Sequence, residues 1–249
     1  MNILLSNDDG IESEGIVKLA LKLSKKHSVM VVAPDGNRSG FSHSLSFYKN
    51  LTVIRRDING VIPAYSISGT PADCVKFAGH QFNKDFPIDL VISGINKGHN
   101  LGTDVLYSGT VSVAVEGATF GYKSMAFSSC AHEGADFDMC ADITEYLIEK
   151  LLPYSSTDFI WNVNIPHLKR EDIKGIKFTP LGQQIYSDNY QKVGENEYVL
   201  VGKPIKNDKN PEDCDVEWSN KGFVTVTPLL YDKTDYSVLK KMSGEICFE

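Results

Sequence analysis

The sequence predicts an α/β fold: a Rossmann-like, three-layer αβα core with a mostly parallel sheet, extended by a C-terminal β-rich arm used in oligomerisation. Two observations predict the core. Short runs that are apolar on every side alternate with amphipathic stretches up to about residue 180. Such runs suit parallel strands covered on both faces, and their repetition with helices implies right-handed crossovers. A third observation predicts the arm: from residue 181 the chain turns polar and glycine-rich for longer than any ordinary loop. At 249 residues the chain buries roughly three quarters of its unfolded surface, so it needs neither a metal nor a disulfide to fold.

Each element follows from local chemistry. Ile3, Leu4 and Leu5 form a brief buried strand. Ile16, Val17, Leu19, Ala20, Leu21 and Leu23 are spaced as a helix lying on a sheet. Residues 29–33 are a second apolar strand. Residues 51–56 and 64–67 are strands flanking Asn59-Gly60, a strong hairpin signal. Thr70-Pro71 opens a helix, with a cap followed by a proline where the first turn tolerates it. Residues 90–92 are a strand, 110–119 a helix, 125–127 a strand and 139–152 a long helix ended by Pro153. Residues 159–164 are a strand, and 223–227 return as an alternating one. Three segments result: an α/β core over 1–180, the arm over 181–222, and a strand and helix over 223–249 that rejoin the core or a partner subunit.

The charge balance narrows the function. A net charge of −7 argues against a protein that coats duplex nucleic acid, which needs Lys and Arg against phosphates. A small anionic substrate is compatible, because a bound cation supplies positive charge locally. The five cysteines, Cys74, Cys130, Cys140, Cys214 and Cys247, are odd in number and widely spaced, which fits a reducing compartment. They and the two tryptophans are expected to pack. The N-terminus lacks the basic start and longer apolar stretch of a signal peptide, and no run approaches the ~18 apolar residues of a membrane helix. The expected location is cytoplasmic, with no membrane partner.

Polar residues collect after the early strands: Ser6-Asn7-Asp8-Asp9-Gly10, then Pro34-Asp35-Gly36-Asn37-Arg38-Ser39-Gly40, then Ser93-Gly94-Ile95-Asn96-Lys97-Gly98-His99-Asn100. In a parallel sheet all three lie at the carboxyl edge, where ligands bind. Adjacent Asp8 and Asp9 repel each other unless a cation or donors compensate. Asp8, Asp9, Ser39 and Asn96 make an oxygen set suited to Mg²⁺ or Mn²⁺. The competing reading is that the two acids only shape a turn and cap the next helix. Ser108-Gly109-Thr110 is a helix start suited to phosphate, or a plain cap. Arg38 and Lys97 either hold an anion or face solvent. Of six histidines, His43 and His99 lie in the candidate loops.

Taken together, these loops, the stretch Gly69-Thr70-Pro71-Ala72-Asp73-Cys74 and the stretch Tyr107-Ser108-Gly109-Thr110-Val111 resemble, in order, the motifs of the SurE family of 5′/3′-nucleotidases. The resemblance covers the first half of the chain closely, with a further match at 223–228 and Asp232. It implies a metal-dependent phosphomonoesterase acting on nucleoside 5′-monophosphates, with 3′-monophosphates and short polyphosphate as further substrates. It implies one divalent cation per subunit, Mg²⁺ or Mn²⁺, on Asp8, Asp9, Ser39 and Asn96. Asn37, Ser39, Asn96, Ser108, Gly109 and Thr110 match the substrate and phosphate positions, and Asp8, Asp9, Asn37 and Ser108 the catalytic ones. A homodimer or homotetramer built through the arm is implied as well. One departure stands out: some members carry His four residues after the C-terminal Asp, whereas here Asp232 is followed by Tyr236.

Two rival readings fail on spacing. A haloacid-dehalogenase-like phosphatase needs Asp two residues after the first acid, where this chain has Gly10. A receiver module needs about half this length and a phosphoacceptor Asp ending a later strand, and the stretch Ser93-Gly94-Ile95-Asn96 has none. A nucleotide-binding protein without catalysis is separated from the enzyme by assay alone. Whether water or an Asp attacks the phosphorus is likewise open to either chemistry.

Overall fold

A computed structural model describes residues 1–60 and 62–242; the end of the 223–249 segment, with Cys247, lies outside the described residues. The strands are β1 (Asn2–Ser6), β2 (Ser28–Pro34), β3 (Val53–Ile58), β4 (Ile62–Ile67), β5 (Leu90–Lys97), β6 (Lys123–Ser129), β7 (Phe159–Ile165), β8 (Ile176–Phe178), β9 (Ile185–Tyr186), β10 (Asn189–Lys192), β11 (Tyr198–Val201), β12 (Pro204–Ile205) and β13 (Val224–Leu230). The helices are α1 (Glu14–Leu23), α2 (Pro71–Gln81), α3 (Gly109–Thr119), α4 (Phe137–Leu151), α5 (Asp215–Asn220) and α6 (Tyr236–Met242).

One sheet organises the core, in the order β3-β4-β2-β1-β5-β6-β7-β13-β8. The run from β4 to β7 is parallel throughout. The edge strand β3 is antiparallel to β4, and β13 is antiparallel to β7. Alternate residues of β1 explain the three layers. Ile3 and Leu5 face the cluster shared with α1 and α4, while Leu4 faces the one shared with α2. Helix α3 covers the same face as α2 further along, over Ala126 and Ile160. No helix among the described residues is long and apolar enough to cross a membrane.

Element boundaries differ from the sequence reading for identifiable reasons. Helix α1 begins two residues early, at Glu14, because Ser13 takes the extended cap conformation. Helix α4 begins at Phe137, because Asp136 caps it by accepting from the Met139 N–H at 2.9 Å. Pro153 does not stop that helix abruptly; it sits in a 3₁₀ turn over Leu152–Tyr154. The Asn59-Gly60 signal holds, since both residues take positive φ, 53° and 67°, as a tight hairpin turn requires.

Beyond the core, β9 pairs with β12 and β10 with β11 as two small antiparallel ladders, and α5 is a helix that the polarity of its segment concealed. Asp215 ties this region down. Its fully buried carboxylate accepts from the Gly102 N–H at 2.7 Å, the Gly182 N–H at 2.7 Å and the Val216 N–H at 2.8 Å. Asp215→Ala strands the buried N–H groups of Gly102 and Val216 and the half-buried one of Gly182, so urea unfolding is expected to show a loss of roughly 3 kcal/mol. An unchanged midpoint would contradict that role. Cys74, Cys140 and Cys214 pack as buried free thiols, with Cys130 against Cys214.

Candidate active site

Strand β1 lies between β2 and β5, so the chain leaves it to both sides and opens a crevice at the carboxyl ends of β1 and β5. Asn7, wholly buried, shapes what enters that crevice. Its Nδ2 donates to the Gly10 carbonyl at 3.0 Å and to Ser13 Oγ at 2.7 Å, and its Oδ1 accepts from the Gly10 N–H at 3.2 Å. This closed turn presents Asp8 and Asp9. Gly10 has φ +103°, and a Cβ there would meet the Gly36 backbone at 3.0 Å. Only glycine lets the first two loops approach this closely.

Asp8 is buried, 3% exposed, against the start of α3. Thr110 Oγ1 donates to its Oδ1 at 2.5 Å. A Cβ on Gly109 would lie 2.7 Å from Asp8 Cβ and 2.8 Å from Oδ2. The carboxyl therefore sits on the positive end of a helix. Even so, burial pushes its pKa up to about 6; the Thr110 bond opposes the rise and Asp9 adds to it. Among the described residues no Lys, Arg or His forms an ion pair with it. Asp9 Oδ2 accepts from the Lys97 N–H at 3.0 Å. Burial raises its pKa as well, against the Lys97 N–H and charge.

The remaining candidates arrive on neighbouring loops. In β5 the register with β6 shifts between Ser93 and Asn96, a bulge of the kind that re-aims side chains beside sites. Asn96 is buried and its Nδ2 donates to the Gly98 carbonyl at 2.8 Å. Asn37 is exposed; its Oδ1 accepts from the Ser39 N–H at 2.9 Å, and Ser39 is exposed beside it. The Arg38 N–H donates to the Asp8 carbonyl at 2.7 Å, which joins the second loop to the first. Ser108 Oγ caps α3 by accepting from the Val111 N–H at 3.0 Å, a bond that leaves its own hydroxyl proton to donate. A cleft of about 410 Å³ is lined by Asp9 and Asn37 together with Ser13, Glu14, Lys97 and Phe137. Thus Asp8 meets Gly109 and Thr110, Asp9 meets the residue after Asn96, and Asp9 shares a cleft with Asn37.

Other candidates are engaged elsewhere. Arg38 is held by Asp35 at 2.6 Å, and its guanidinium lies 5.9 Å from the Phe41 ring centre. His43 pairs with Glu116, and His99 lies 3.4 Å from Asp104. Tyr236 donates its hydroxyl to Asp232, and both are exposed. Sequence reasoning missed the asparagines that brace the loops. The Asn100 N–H donates to Asn164 Oδ1 at 2.7 Å, while Asn162 and Asn164 Nδ2 reach the Asn100 carbonyl at 2.9 and 3.1 Å. The available signal was their alternation with Trp161 and Val163 in a strand buried on both faces. Asn7 and Glu116 carried no comparable signal.

Comparison with known proteins identifies the family. The family model described as Survival protein SurE matches residues 3–188. The chain is 41% identical over 250 residues to a protein of Clostridium beijerinckii named 5′-nucleotidase SurE, covering 98% of each. It is 41% identical to the protein of the same name from Petrotoga mobilis, again with 98% of each covered. The crystal structure of the SurE protein from Aquifex aeolicus superimposes with a TM-score of 0.82 at 38% identity, covering 98% of both chains. With a family model spanning well over half its length and near-full-length relatives above 40% identity, the chain belongs to the Survival protein SurE family.

Proposed function

We propose that this chain is a 5′-nucleotidase: a divalent-metal-dependent phosphomonoesterase that hydrolyses nucleoside 5′-monophosphates to nucleoside and phosphate. Its relatives carry the 5′-nucleotidase name. The observation that carries the reading is the buried Asp8 carboxyl, beside Asp9 and bonded to Thr110, which among the described residues forms no ion pair. Among the described residues no three His, Cys, Asp or Glu side chains are placed to hold a metal ion by themselves. A cation here therefore takes neutral oxygens as well, and Asp8, Asp9, Ser39 and Asn96 form such a set, suited to one Mg²⁺ or Mn²⁺.

When bound, the cation supplies charge neutralisation and Lewis acidity at the phosphoryl group. The chain's own residues do the rest. The Asn37 side-chain amide, the free proton of Ser108 and the first N–H groups of α3 at Gly109 and Thr110 stabilise the equatorial oxygens. The Thr110 hydroxyl orients Asp8 through Oδ1. One carboxylate of the pair takes the proton of an attacking water in line with the leaving alkoxide. The same site accepts 3′-monophosphates and short polyphosphate, because it reads the phosphoryl group.

In this reading residues 1–180 are the catalytic core, 181–222 the arm, and 223–249 the segment that returns to the core or to a partner. Tyr190, Tyr198 and Leu200 are exposed on the β10–β11 ladder. A two-stranded ribbon is marginal alone, which favours its burial in a homodimer or homotetramer. The protein works in the cytoplasm. Phosphate release from AMP or GMP with Mn²⁺ or Mg²⁺ is the test. Release is expected to vanish with chelator and to return on adding metal. Undiminished release in chelator would overturn the metal role, and no release from any nucleotide would overturn the activity.

A further inference from the structure

The connection between β2 and β3, residues 35–52, carries Asn37 and Ser39 and contains no helix or strand. A loop this long in a compact core is usually functional or disordered. This one is fastened at several points. The Ser42 N–H donates to the Tyr107 carbonyl at 3.1 Å, and Ser42 Oγ to the Leu106 carbonyl at 2.5 Å. Thr70 Oγ1 donates to the Ser44 carbonyl at 2.7 Å, and the Ser46 N–H to Asp73 Oδ1 at 3.1 Å. The backbone takes positive φ at Gly40, Ser42 and Tyr48, 77°, 57° and 58°. Side-chain-bearing residues hold that conformation where their surroundings over-determine it.

The Arg38 N–H to Asp8 carbonyl bond joins the loop to the acid loop directly; a further fastening joins side chains, and it uses a carboxylate that has no part in the chemistry proposed above. Glu116, 4% exposed, sits within α3. Its Oε2 lies 2.7 Å from His43 Nε2 in the loop, and its Oε1 lies 2.8 Å from Lys76 Nζ on α2. A carboxylate this deep is costly unless paired. Pairing to a histidine and a lysine on two other segments makes it a junction. Both partners hold its pKa below the ordinary value against the opposing effect of burial. Thr110, which grips Asp8, lies six residues earlier on the same helix, roughly 9 Å along its axis. One rigid helix therefore touches the acid loop at its start and the loop carrying Asn37 and Ser39 in its last turn.

We infer that Glu116 is a positioning residue: through His43 it holds the 35–52 loop so that Asn37 and Ser39 stay in register with Asp8 and Asp9. The catalytic consequence rests on the proposed nucleotidase activity; the tether itself does not. Glu116→Gln and His43→Ala are expected to raise the half-activating Mn²⁺ concentration and the KM for AMP about tenfold, with kcat at saturation falling less. The double variant is expected to match the single ones, because both break one link. Lys76→Met keeps the His43 contact and removes the other partner. It is expected to lower the melting temperature while leaving both constants within twofold. Hydrogen exchange of backbone amides 39–48 in the metal-free full chain reads the tether directly, and is expected to quicken at least tenfold in Glu116→Gln and His43→Ala but not in Lys76→Met. Unchanged exchange in Glu116→Gln, or equal shifts of KM and metal requirement in Lys76→Met, would overturn the proposal. If the wild-type chain releases no phosphate from nucleotides yet the exchange pattern holds, the activity reading fails and the tether stands.

Discussion

Asp8→Asn is expected to produce a more stable and inactive protein. The folded pKa of Asp8, about 6, stands above the ordinary 3.8. The neutral form thus favours the metal-free fold: stability contributed by the protonated carboxyl is full below pH 4 and is lost as pH climbs through about 6. Near pH 8 the ionised, buried carboxyl costs about 3 kcal/mol as an upper figure. Asparagine removes the charge and keeps an oxygen to accept from Thr110. A chain of this size gains about 2–4 °C in melting temperature per kcal/mol, so a rise of up to about 6–12 °C at pH 8 is expected without metal. The difference should shrink towards pH 4, where the wild-type carboxyl is protonated. Turnover should fall about a thousandfold or more, since the proposed cation site loses a charged ligand. Mn²⁺ should stabilise the wild type by mass action and leave the variant unmoved. Thermal scans at pH 4 and pH 8 with phosphate-release assays check all of this. A variant less stable at pH 8, or active at the wild-type rate, would contradict the assignment of Asp8.

Gly109→Ala is expected to damage both stability and activity, although alanine is normally the better helix residue by about 1 kcal/mol. The added Cβ would lie 2.7 Å from Asp8 Cβ and 3.0 Å from Pro71 Cγ. Neither neighbour is the far end of a flexible side chain. Overpacking of this kind costs about 1–3 kcal/mol, more than the helix gains. The movement that relieves it shifts Asp8, and a displacement of about 1 Å in a positioned group costs about a hundredfold in rate. Urea midpoint and kcat/KM are the measurements. A stabilised, fully active variant would show that α3 does not rest on the acid pair.

Much of this molecule was legible in its residues, and the reasons are local. Ile3 to Leu5 and Val29 to Ala33 are apolar on every side, which only strands covered on both faces tolerate, so the parallel core could be read directly. The Asn59-Gly60 turn and the Thr70 cap depend on the backbone preferences of single residues. The loops carrying Asp8, Asp9, Asn37, Asn96 and Ser108 were legible too, because polar, glycine-containing segments at strand ends have one common place in such a sheet.

The reach between those loops was not. Thr110 could be read as a cap or a phosphate donor; that its hydroxyl is given to Asp8 depends on how α3 lies across the sheet edge. Helix α5 was hidden because Asp215 holds it by long-range bonds to Gly102 and Gly182, not by an apolar periodicity. The junction of Glu116 with His43 and Lys76 joins residues 73 and 40 positions apart, and no spacing rule connects them. Periodicity and turn chemistry act within a few residues and so could be read along the chain. Desolvation of a carboxyl, the choice of its donor and the bracing of one loop by another are set by distance in space, and only the folded arrangement decides them.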